Sequence, residues 1–338
     1  MDETISKNEL LDWKTMDGLF YGLIGKINKD EDDFWCYEGM PKTGYYSPPK
    51  NEFKIKTILK ENDIDLMRRR KEMQWAARIN NALDESRFEL FRQTIRPLHD
   101  NMEQGTHFEI LLRMRDEAGK LISPELFIVA AERYGITPNI DRWVIANTLR
   151  WLVSEADERE RLTLCSINLS GQSLADDKFL PFVIEQFHRS GIDPSKICFE
   201  ITETAAIASY SQANRFIHSL KELGCMFALD DFGTGYSSLS LLQSFPIQRL
   251  KIDRSFISGI ADDVSARSLV KTILAMSDAL GLDTVAEGVE TARQLEALID
   301  LHCAKAQGYL ISHPVAPEQM RNTVISLEKF SQWPKYSD

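Results

Sequence analysis

Cysteine is scarce in this chain of 338 residues, and it is not arranged for a metal or redox motif. The five cysteines are an odd number, and no two of them form a CxxC pair. A disulfide framework needs an even set and a thiolate zinc site needs closely spaced pairs, so neither is indicated. Three of the five lie inside apolar runs, where a free cysteine usually acts as a small core residue.

Long apolar runs and an excess of positive charge are also missing. No run approaches the roughly 20 residues that cross a bilayer, and the opening MDETISKNEL lacks the features of a signal peptide, so we expect a cytoplasmic protein without a membrane span. The 40 Lys and Arg are outnumbered by 51 Asp and Glu, for a formal net charge of -11. This balance argues against broad binding of a nucleic acid polymer or an anionic membrane, and an anionic ligand would need local cations.

Short apolar segments alternate with segments of helical spacing from Phe88 onward. The eight strand candidates are Phe88–Ile95, His107–Met114, Leu162–Leu169, Ile197–Thr202, Met226–Leu229, Arg249–Ile252, Asp283–Ala286 and Ala306–Ile311. The helix candidates are Pro124–Tyr134, Ile140–Val153, Leu174–Ser190, Tyr210–Leu223, Ala266–Leu280 and Ala292–Leu301. This alternation over about 240 residues predicts an α/β fold of the TIM-like (β/α)₈ barrel type, with a doubly wound sheet as the alternative.

The chain before Phe88 has a different character. Residues 1–59 are rich in charged and aromatic side chains and are predicted to be an irregular N-terminal segment of unknown role. Residues 60–84 regain helical spacing and are interpreted as a connector helix that leads into a barrel at 85–330. The basic run Arg68–Lys71 could contact nucleic acid or an acidic partner, but a solvated helix face is the favoured interpretation.

Acidic and amide residues lie at, or just past, the ends of the predicted strands. They are Glu109, Asn168, Glu200, Asp230, Asp231, Glu287 and Gln307. In a barrel these strand ends converge on one mouth, where active sites of this fold lie. Each residue alone could equally be a helix cap, a turn former or a solvated rim residue. Together, five carboxylates in one mouth would repel one another strongly unless cations neutralise them, so bound metal is the simplest explanation.

The residue types at this mouth favour a hard cation. Oxygen ligands without His or Cys indicate Mg²⁺ or Mn²⁺ rather than Zn²⁺. Adjacent side chains of a strand point to different sides, so one of Asp230 and Asp231 could bridge two ions while the other binds one. Two such ions suit in-line displacement at phosphorus. Lys251 would either supply a further cation or form a salt bridge within the mouth.

Seven motifs, in order along the chain, resemble a known family. They are FEILLRMR (Phe108–Arg115), INLS (Ile167–Ser170), FEITE (Phe199–Glu203), DDFGTGYSSL (Asp230–Leu239), KIDRSFI (Lys251–Ile257), AEGVE (Ala286–Glu290) and QGY (Gln307–Tyr309). Together they resemble the EAL family of cyclic di-GMP phosphodiesterases over about Asn80–Ile325. The resemblance implies a TIM-like barrel with an antiparallel first strand, a homodimer formed through the barrel, and hydrolysis of cyclic di-GMP to linear 5′-pGpG with two Mg²⁺ or Mn²⁺ ions.

The resemblance also implies a role for each matching residue. The implied ligands of one metal are Glu109, Asn168, Glu200 and Asp230. The implied group around the second metal is Asp230, Asp231 and Glu287. The implied catalytic residues are Lys251, which orients or polarises the attacking water, Glu287, and Glu203, which holds the loop Phe232–Ser238 over the site. The implied substrate contacts are Gln93, Arg113, Tyr236 and Gln307.

The sequence departs from the family pattern at three positions. Ile110 replaces the Ala of the namesake triplet, at a position expected to face away from the metals. Thr94 replaces the Pro that usually follows Gln93, and Met114 replaces the usual Trp. These changes affect the packing around a ligand and leave the metal ligands unchanged.

Three functions are therefore compared. The intact ligand set favours an active phosphodiesterase over a catalytically weak or inactive cyclic di-GMP receptor. An unrelated barrel enzyme that uses the same carboxylates on another phosphorylated substrate is a third alternative. The connector resembles the junction between GGDEF and EAL domains, but no GGDEF signature precedes it. Residues 1–59 are thus interpreted as a remnant or as a regulatory segment with its own partner.

Overall fold

The computed structural model describes residues 27–29, 35–37, 73–99, 105–233 and 239–316. The chain divides into two compact units, Met1–Met67 and Arg68–Asp338. In the first unit, β1 (Ile27–Lys29) and β2 (Trp35–Tyr37) form an antiparallel pair. The rest of the predicted N-terminal segment, and the basic run in the connector, lie outside the described residues.

The second unit is built around one sheet that closes on itself. Its strands are β3 (Phe88–Thr94), β4 (Arg96–Pro97), β5 (Thr106–Arg115), β6 (Leu121–Ile122), β7 (Leu162–Leu169), β8 (Ile197–Thr202), β9 (Met226–Phe232), β10 (Arg249–Ile252), β11 (Asp283–Ala286) and β12 (Lys305–Ala306). The order β3-β5-β7-β8-β9-β10-β11-β12-β4 begins and ends on strands that are separated in the chain by Ile95 alone. β3 and β4 therefore act as one interrupted first strand that pairs with β5 on one side and β12 on the other.

Strand direction confirms the predicted barrel. β5 and β7 to β12 run parallel in that order, whereas β3 pairs with β5, and β4 with β12, in antiparallel fashion. The fold is thus a TIM-like barrel with a reversed first strand and not a doubly wound sheet. In the register between β3 and β5, Gln93 lies opposite Glu109, so the reversed strand delivers its own polar side chain to the mouth.

Four predicted strands, those of β7, β8, β10 and β11, have the observed bounds. Two others differ. β9 extends to Phe232, three residues past the predicted end, so that it includes the paired aspartates. β12 has two residues where Ala306–Ile311 was predicted. Directly after β12, the Gly308 backbone lies against Val289, where an added Cβ would be 2.2 Å from backbone atoms.

Helices surround the sheet. The α-helices of the barrel unit include residues 73–84 and Ile128–Arg133, Thr137–Ser154, Ala156–Arg161, Gly171–Ala175, Phe179–Ser190, Glu203–Ala208, Tyr210–Leu223, Leu239–Ser244, Arg254–Ile257, Val264–Ala279 and Ala292–Asp300, with 3₁₀ turns at Pro124–Leu126 and Pro194–Lys196. The predicted helix Leu174–Ser190 is interrupted at Asp176, whose Oδ1 accepts from the Lys178 backbone at 2.9 Å. Within the described ranges, no helix has the length and apolar character needed to cross a bilayer.

The apolar core lies between the outward faces of the strands and these helices. Phe199 of β8 and Phe227 of β9 are fully buried, with ring centroids 5.8 Å apart. Both rings lie 6.3 Å from Phe216 of the helix Tyr210–Leu223. Ile79 and Ala82, in the helical residues 73–84, are buried in the same core. The connector helix is therefore packed onto the barrel at its C-terminal end.

Replacing Phe199 by Ala should destabilise the barrel strongly. Deletion of a fully buried phenylalanine side chain leaves a cavity and costs roughly 3–5 kcal/mol. Urea denaturation of the full chain measures this loss. Leu126→Ala is the control, because that side chain is 60% exposed and its removal should change the free energy of unfolding by less than about 0.5 kcal/mol. Equal losses in the two variants would contradict the core described above.

Candidate active site

The ends of neighbouring strands bring the predicted polar residues to one mouth of the barrel. These residues are Glu109 of β5, Asn168 of β7, Glu200 of β8, Asp230 and Asp231 of β9, Lys251 of β10, Glu287 directly after β11 and Gln307 directly after β12. Side chains alternate along a strand, so one face of each strand points into the barrel while the other packs on the helices. The sequence placed these residues together correctly.

Lys251 lies at the centre of the cluster. Its side chain is 1% exposed, and Nζ is 2.6 Å from Glu200 Oε2 and 2.7 Å from Glu287 Oε1. Oxygens of Asp230 and Glu109 lie 3.2 and 3.6 Å from the same nitrogen. The salt bridge that the sequence left as one alternative for Lys251 is therefore present, and it joins four carboxylates to one ammonium.

The charges of this cluster are not balanced. Burial by itself would lower the pKa of Lys251, but the surrounding carboxylates, led by Asp230, raise it well above its ordinary value. Burial raises the pKa of Glu200 to about 8 against the opposing effect of Lys251. Burial also raises the pKa of Glu287 well above its ordinary value, and burial together with Asp230 raises the pKa of Asp231 to about 6. One ammonium is too little positive charge for this mouth, which therefore favours a further cation.

Glu109 is held by amide groups on both carboxylate oxygens. Asn168 Nδ2 donates to Oε1 at 2.5 Å, and Gln307 Nε2 donates to Oε2 at 2.6 Å. Glu109 is 5% exposed, whereas Asn168 is exposed at the mouth. Because Asn168 donates through its nitrogen, its amide oxygen remains the atom that can bind a cation or accept a hydrogen bond.

A bulge brings the paired aspartates together. Between β9 and β10 the register moves from Leu229 opposite Leu250 to Phe232 opposite Ile252, so β9 contains one extra residue. Asp231 takes a positive φ of 54° in this bulge, a conformation that Asp tolerates better than most residues. The expected alternation of the two side chains is interrupted, and an oxygen of each aspartate lies within 4.8 Å of a Glu287 oxygen.

Glu203 contacts the start of the loop that follows β9. Glu203 is 3% exposed, and its Oε1 accepts from the Gly233 backbone N–H at 3.0 Å. The cap of the helix Glu203–Ala208 is Thr202, whose side chain accepts from the Ala205 N–H. Glu203 is therefore positioned as a loop contact and is not the helix cap.

Arg113 lies four residues after Glu109 on the same face of β5. Its guanidinium carbon is 5.5 Å from the centre of the Phe91 ring, and Nη1 donates to the Leu112 carbonyl at 2.7 Å. Burial lowers the pKa of Arg113, and nearby Tyr309 and Glu109 oppose that change. A half-buried guanidinium beside the carboxylate cluster is a suitable contact for an anionic ligand.

The structure describes two of the three other implied substrate contacts. Gln93 and Gln307 are buried and hydrogen-bond to each other at 3.1 Å. Tyr236 lies outside the described residues. Ile110 is 2% exposed and belongs to the helix-facing core, which confirms that this departure from the family pattern faces away from the cluster.

Sequence reasoning missed Phe256, a contact of the loop. An added Cβ on Gly233 would lie 2.5 Å from the Phe256 ring, and Gly233 has a positive φ of 99°. The glycine is thus enclosed between an aromatic ring and the Glu203 carboxylate. The letters SFI give no sign of this, because an aromatic residue in a short helix ordinarily indicates core packing.

Sequence reasoning also missed a second layer of polar side chains inside the barrel. It lies two residues along the strands from the carboxylate cluster, away from the mouth. Arg249 Nη1 is 3.0 Å from His107 Nε2, and Arg249 Nε is 3.2 Å from Asp283 Oδ2. Lys305 pairs with the same aspartate. Burial, followed by Arg249, lowers the pKa of His107 well below its ordinary value. Neutral His107 therefore acts as an acceptor for Arg249 beneath the carboxylate cluster.

Comparison with known proteins places this site in a family. The model of the EAL domain family matches residues 76–314. The cyclic di-GMP phosphodiesterase PdeB of Shewanella oneidensis is 35% identical over 257 residues, which are 76% of this chain and 30% of that protein. The cyclic di-GMP phosphodiesterase NbdA of Pseudomonas aeruginosa is 36% identical over 255 residues, 74% of this chain and 32% of that protein.

A solved structure gives the same result for the fold. The PaMucR phosphodiesterase in complex with c-di-GMP is 32% identical, superposes with a TM-score of 0.68, and covers 73% of this chain and 99% of its own. The chain spans about a third of the length of the two curated relatives it matches. On the match of the family model, the shared barrel and the carboxylate cluster, the chain belongs to the EAL domain family.

Proposed function

We propose that this chain hydrolyses cyclic di-GMP to linear 5′-pGpG in a reaction that depends on divalent metal. The observation that carries the proposal is the convergence of five carboxylates and Lys251 on one barrel mouth, beside the guanidinium of Arg113. Relatives named as cyclic di-GMP phosphodiesterases, and a relative that binds this nucleotide, support it.

The side chains of the mouth fit two divalent cations. Asp230, Asp231 and Glu287 place carboxylate oxygens within 4.8 Å of one another, which suits one ion. The residues that would hold the other are Glu109, Asn168, Glu200 and Asp230. All of these donors are oxygens, as Mg²⁺ and Mn²⁺ prefer. When bound, such ions would neutralise charge on the phosphoryl oxygens and acidify a water molecule.

The protein's own groups bind the phosphate and position the water. Arg113 binds a phosphate of the dinucleotide through its planar guanidinium. Lys251 orients or polarises the water, because its ammonium is charged and fixed by neighbouring carboxylates. Glu287 is the carboxylate placed to receive the water proton, since its side chain is 19% exposed whereas that of Glu200 is 2% exposed.

Hydrolysis adds one water molecule across one phosphodiester bond of the ring. The water oxygen forms a bond to phosphorus, the bond from phosphorus to the ribose O3′ breaks, and O3′ takes up one proton in place of the proton that the water gave to Glu287. One 5′-phosphate and one 3′-hydroxyl result, which are the ends of linear pGpG. Glu203 contributes by holding Gly233, and through it the backbone next to Asp231.

A receptor that binds cyclic di-GMP without turnover is the alternative. Loss of a metal ligand would favour it, but in this chain the ligands implied by the family are present and face one mouth. A cytoplasmic location, a homodimer and a regulatory partner for residues 1–59 stay predictions.

Turnover should require Mg²⁺ or Mn²⁺ and should be lost when a chelator is added. The carboxylates of the mouth exceed the charge of Lys251, so the cluster depends on added cations to accept an anionic substrate. Chromatographic separation of cyclic di-GMP and pGpG measures the reaction. Ca²⁺, which prefers more ligands at longer distances, should bind without supporting turnover. Full activity in metal-free buffer would refute the proposal.

Glu109→Ala should abolish turnover while leaving measurable binding of cyclic di-GMP. The variant removes one implied metal ligand, whereas Arg113 remains to bind phosphate. Calorimetric titration of the nucleotide and the turnover assay are run on the same preparation. An unchanged kcat would show that Glu109 is not a metal ligand, whereas nucleotide binding without turnover in the wild type would favour the receptor alternative.

Glu203→Ala should lower kcat severely with little change in Tm. The substitution frees the Gly233 N–H and disturbs Asp231 without deleting a ligand, and displacements of about 1 Å can cost on the order of a hundredfold in rate. Thr202→Val is the matched control. It removes the helix cap, for a loss of about 1 kcal/mol, but keeps the Glu203 contact and should keep kcat. A lower Tm with unchanged kcat in Glu203→Ala would show a purely structural role.

A further inference from the structure

A chain of amide hydrogen bonds leads from a backbone carbonyl to Glu109. Gln93 Nε2 donates to the Ser312 carbonyl at 2.8 Å. Gln307 Nε2 donates to Gln93 Oε1 at 3.1 Å and to Glu109 Oε2 at 2.6 Å. Gln93, Gln307 and Glu109 are 7%, 4% and 5% exposed, so water has little access to these groups. We call Ser312, Gln93 and Gln307 the amide relay.

The donor direction of the relay is fixed at the Ser312 end. A backbone carbonyl can only accept, so Gln93 must present its NH₂ group to Ser312 and its oxygen to Gln307. Gln307 must then present its NH₂ group to Gln93, and the same NH₂ group faces Glu109. The reversed amide of Gln307 would place its oxygen against the oxygens of both Gln93 and Glu109. One carbonyl therefore determines that Glu109 receives a donor.

Thr94 adds a tether that a proline could not provide. The Thr94 backbone N–H donates to Ser312 Oγ at 2.9 Å, and the Ser312 N–H donates to the Gly308 carbonyl at 3.0 Å. Proline, the residue that usually follows Gln93 in the family pattern, has no N–H group. The departure at this position thus links the reversed strand β3 to Ser312, directly beside the carbonyl that starts the relay.

We infer that the amide relay is a positioning device for Glu109, and that Gln93 acts on the metal site through Gln307 and not by touching the nucleotide. Orientation of a ligand by its outer hydrogen-bond partners commonly affects metal affinity by 10–100-fold. The inference rests on the proposed function, because it takes Glu109 as a metal ligand. It makes Ser312, which the family motifs do not single out, part of the support of the site.

The test is Gln93→Met, which keeps the length of the side chain and removes both hydrogen bonds. Mn²⁺ alone is titrated calorimetrically into the full chain, and kcat and KM for cyclic di-GMP are measured at saturating Mn²⁺. The relay predicts Mn²⁺ affinity lower by about tenfold, with KM changed by less than about twofold. Gln212→Met, the same substitution at an exposed helix position, is the control and should change neither value.

Failure of the relay and failure of the proposed function give different results in these measurements. Unchanged Mn²⁺ affinity with a raised KM in Gln93→Met would overturn the relay and leave the phosphodiesterase intact. Weaker Mn²⁺ binding in the variant, with no turnover by the wild type, would support the relay and overturn the proposed function. A wild-type chain that binds no Mn²⁺ would overturn both.

Thr94 provides a second pair of variants, independent of the Gln93 side chain. Thr94→Pro removes the N–H that holds Ser312, whereas Thr94→Val retains it. The relay predicts weaker Mn²⁺ binding in Thr94→Pro and wild-type binding in Thr94→Val, with both chains folded by circular dichroism. Equal Mn²⁺ affinity in the two variants would remove Thr94 from the relay.

Discussion

The ammonium of Lys251 among four carboxylates is the interaction on which the rest of the site depends. A buried charge is costly unless it is paired and hydrogen-bonded. Here Glu200 and Glu287 lie within 2.7 Å of Nζ, while Asp230 and Glu109 complete the shell. Each of these five residues belongs to a different strand or strand end, so the arrangement exists only when the barrel is closed. Closure of the barrel and compensation of the Lys251 charge therefore depend on each other.

The second polar layer, beneath the carboxylate cluster, also contains buried charges that are paired. Arg249 precedes Lys251 by two residues on the same strand, and His107 precedes Glu109 in the same way. Side chains two apart share a face, so both layers line the inside of the barrel. Asp283 pairs with both Arg249 and Lys305, so these two buried cations have an anionic partner of their own and do not pair with the carboxylates above. The carboxylate cluster thus remains negative and retains its capacity for added cations.

Two departures from ideal backbone geometry lie beside the carboxylate cluster. The bulge in β9 puts Asp231 at a positive φ, and Gly233 follows at φ 99° against Phe256. Such conformations persist only where neighbours hold them, as Glu203 does by accepting from the Gly233 N–H. In the described part of the loop after β9, Gly233 is therefore held by the hydrogen bond to Glu203 and by close packing against the Phe256 ring. A ligand set built on regular strands alone would not require either of them.

The sequence by itself determined the architecture and the membership of the cluster. Apolar segments that alternate with segments of helical spacing favoured a barrel over a doubly wound sheet, and in a barrel the acidic residues at the strand ends meet because parallel strands end at one mouth. Strand bounds were correct where short β-branched or aliphatic runs stand between helices, as at Leu162–Leu169 and Arg249–Ile252. These properties follow from local patterns that repeat along the chain.

Tertiary structure alone decided how the side chains are used. The alternation of side chains along a strand predicts that Asp230 and Asp231 point apart. The bulge that interrupts this alternation arises from the pairing of β9 with β10, and the local sequence around the aspartates does not show that pairing. The donor direction of Gln307 likewise depends on Gln93 and on the Ser312 carbonyl, residues 219 positions apart in the chain. Charge compensation of Lys251 also comes from four separate strand ends. Hydrogen-bond polarity and charge balance are properties of groups in contact, and those contacts exist only after the barrel has closed.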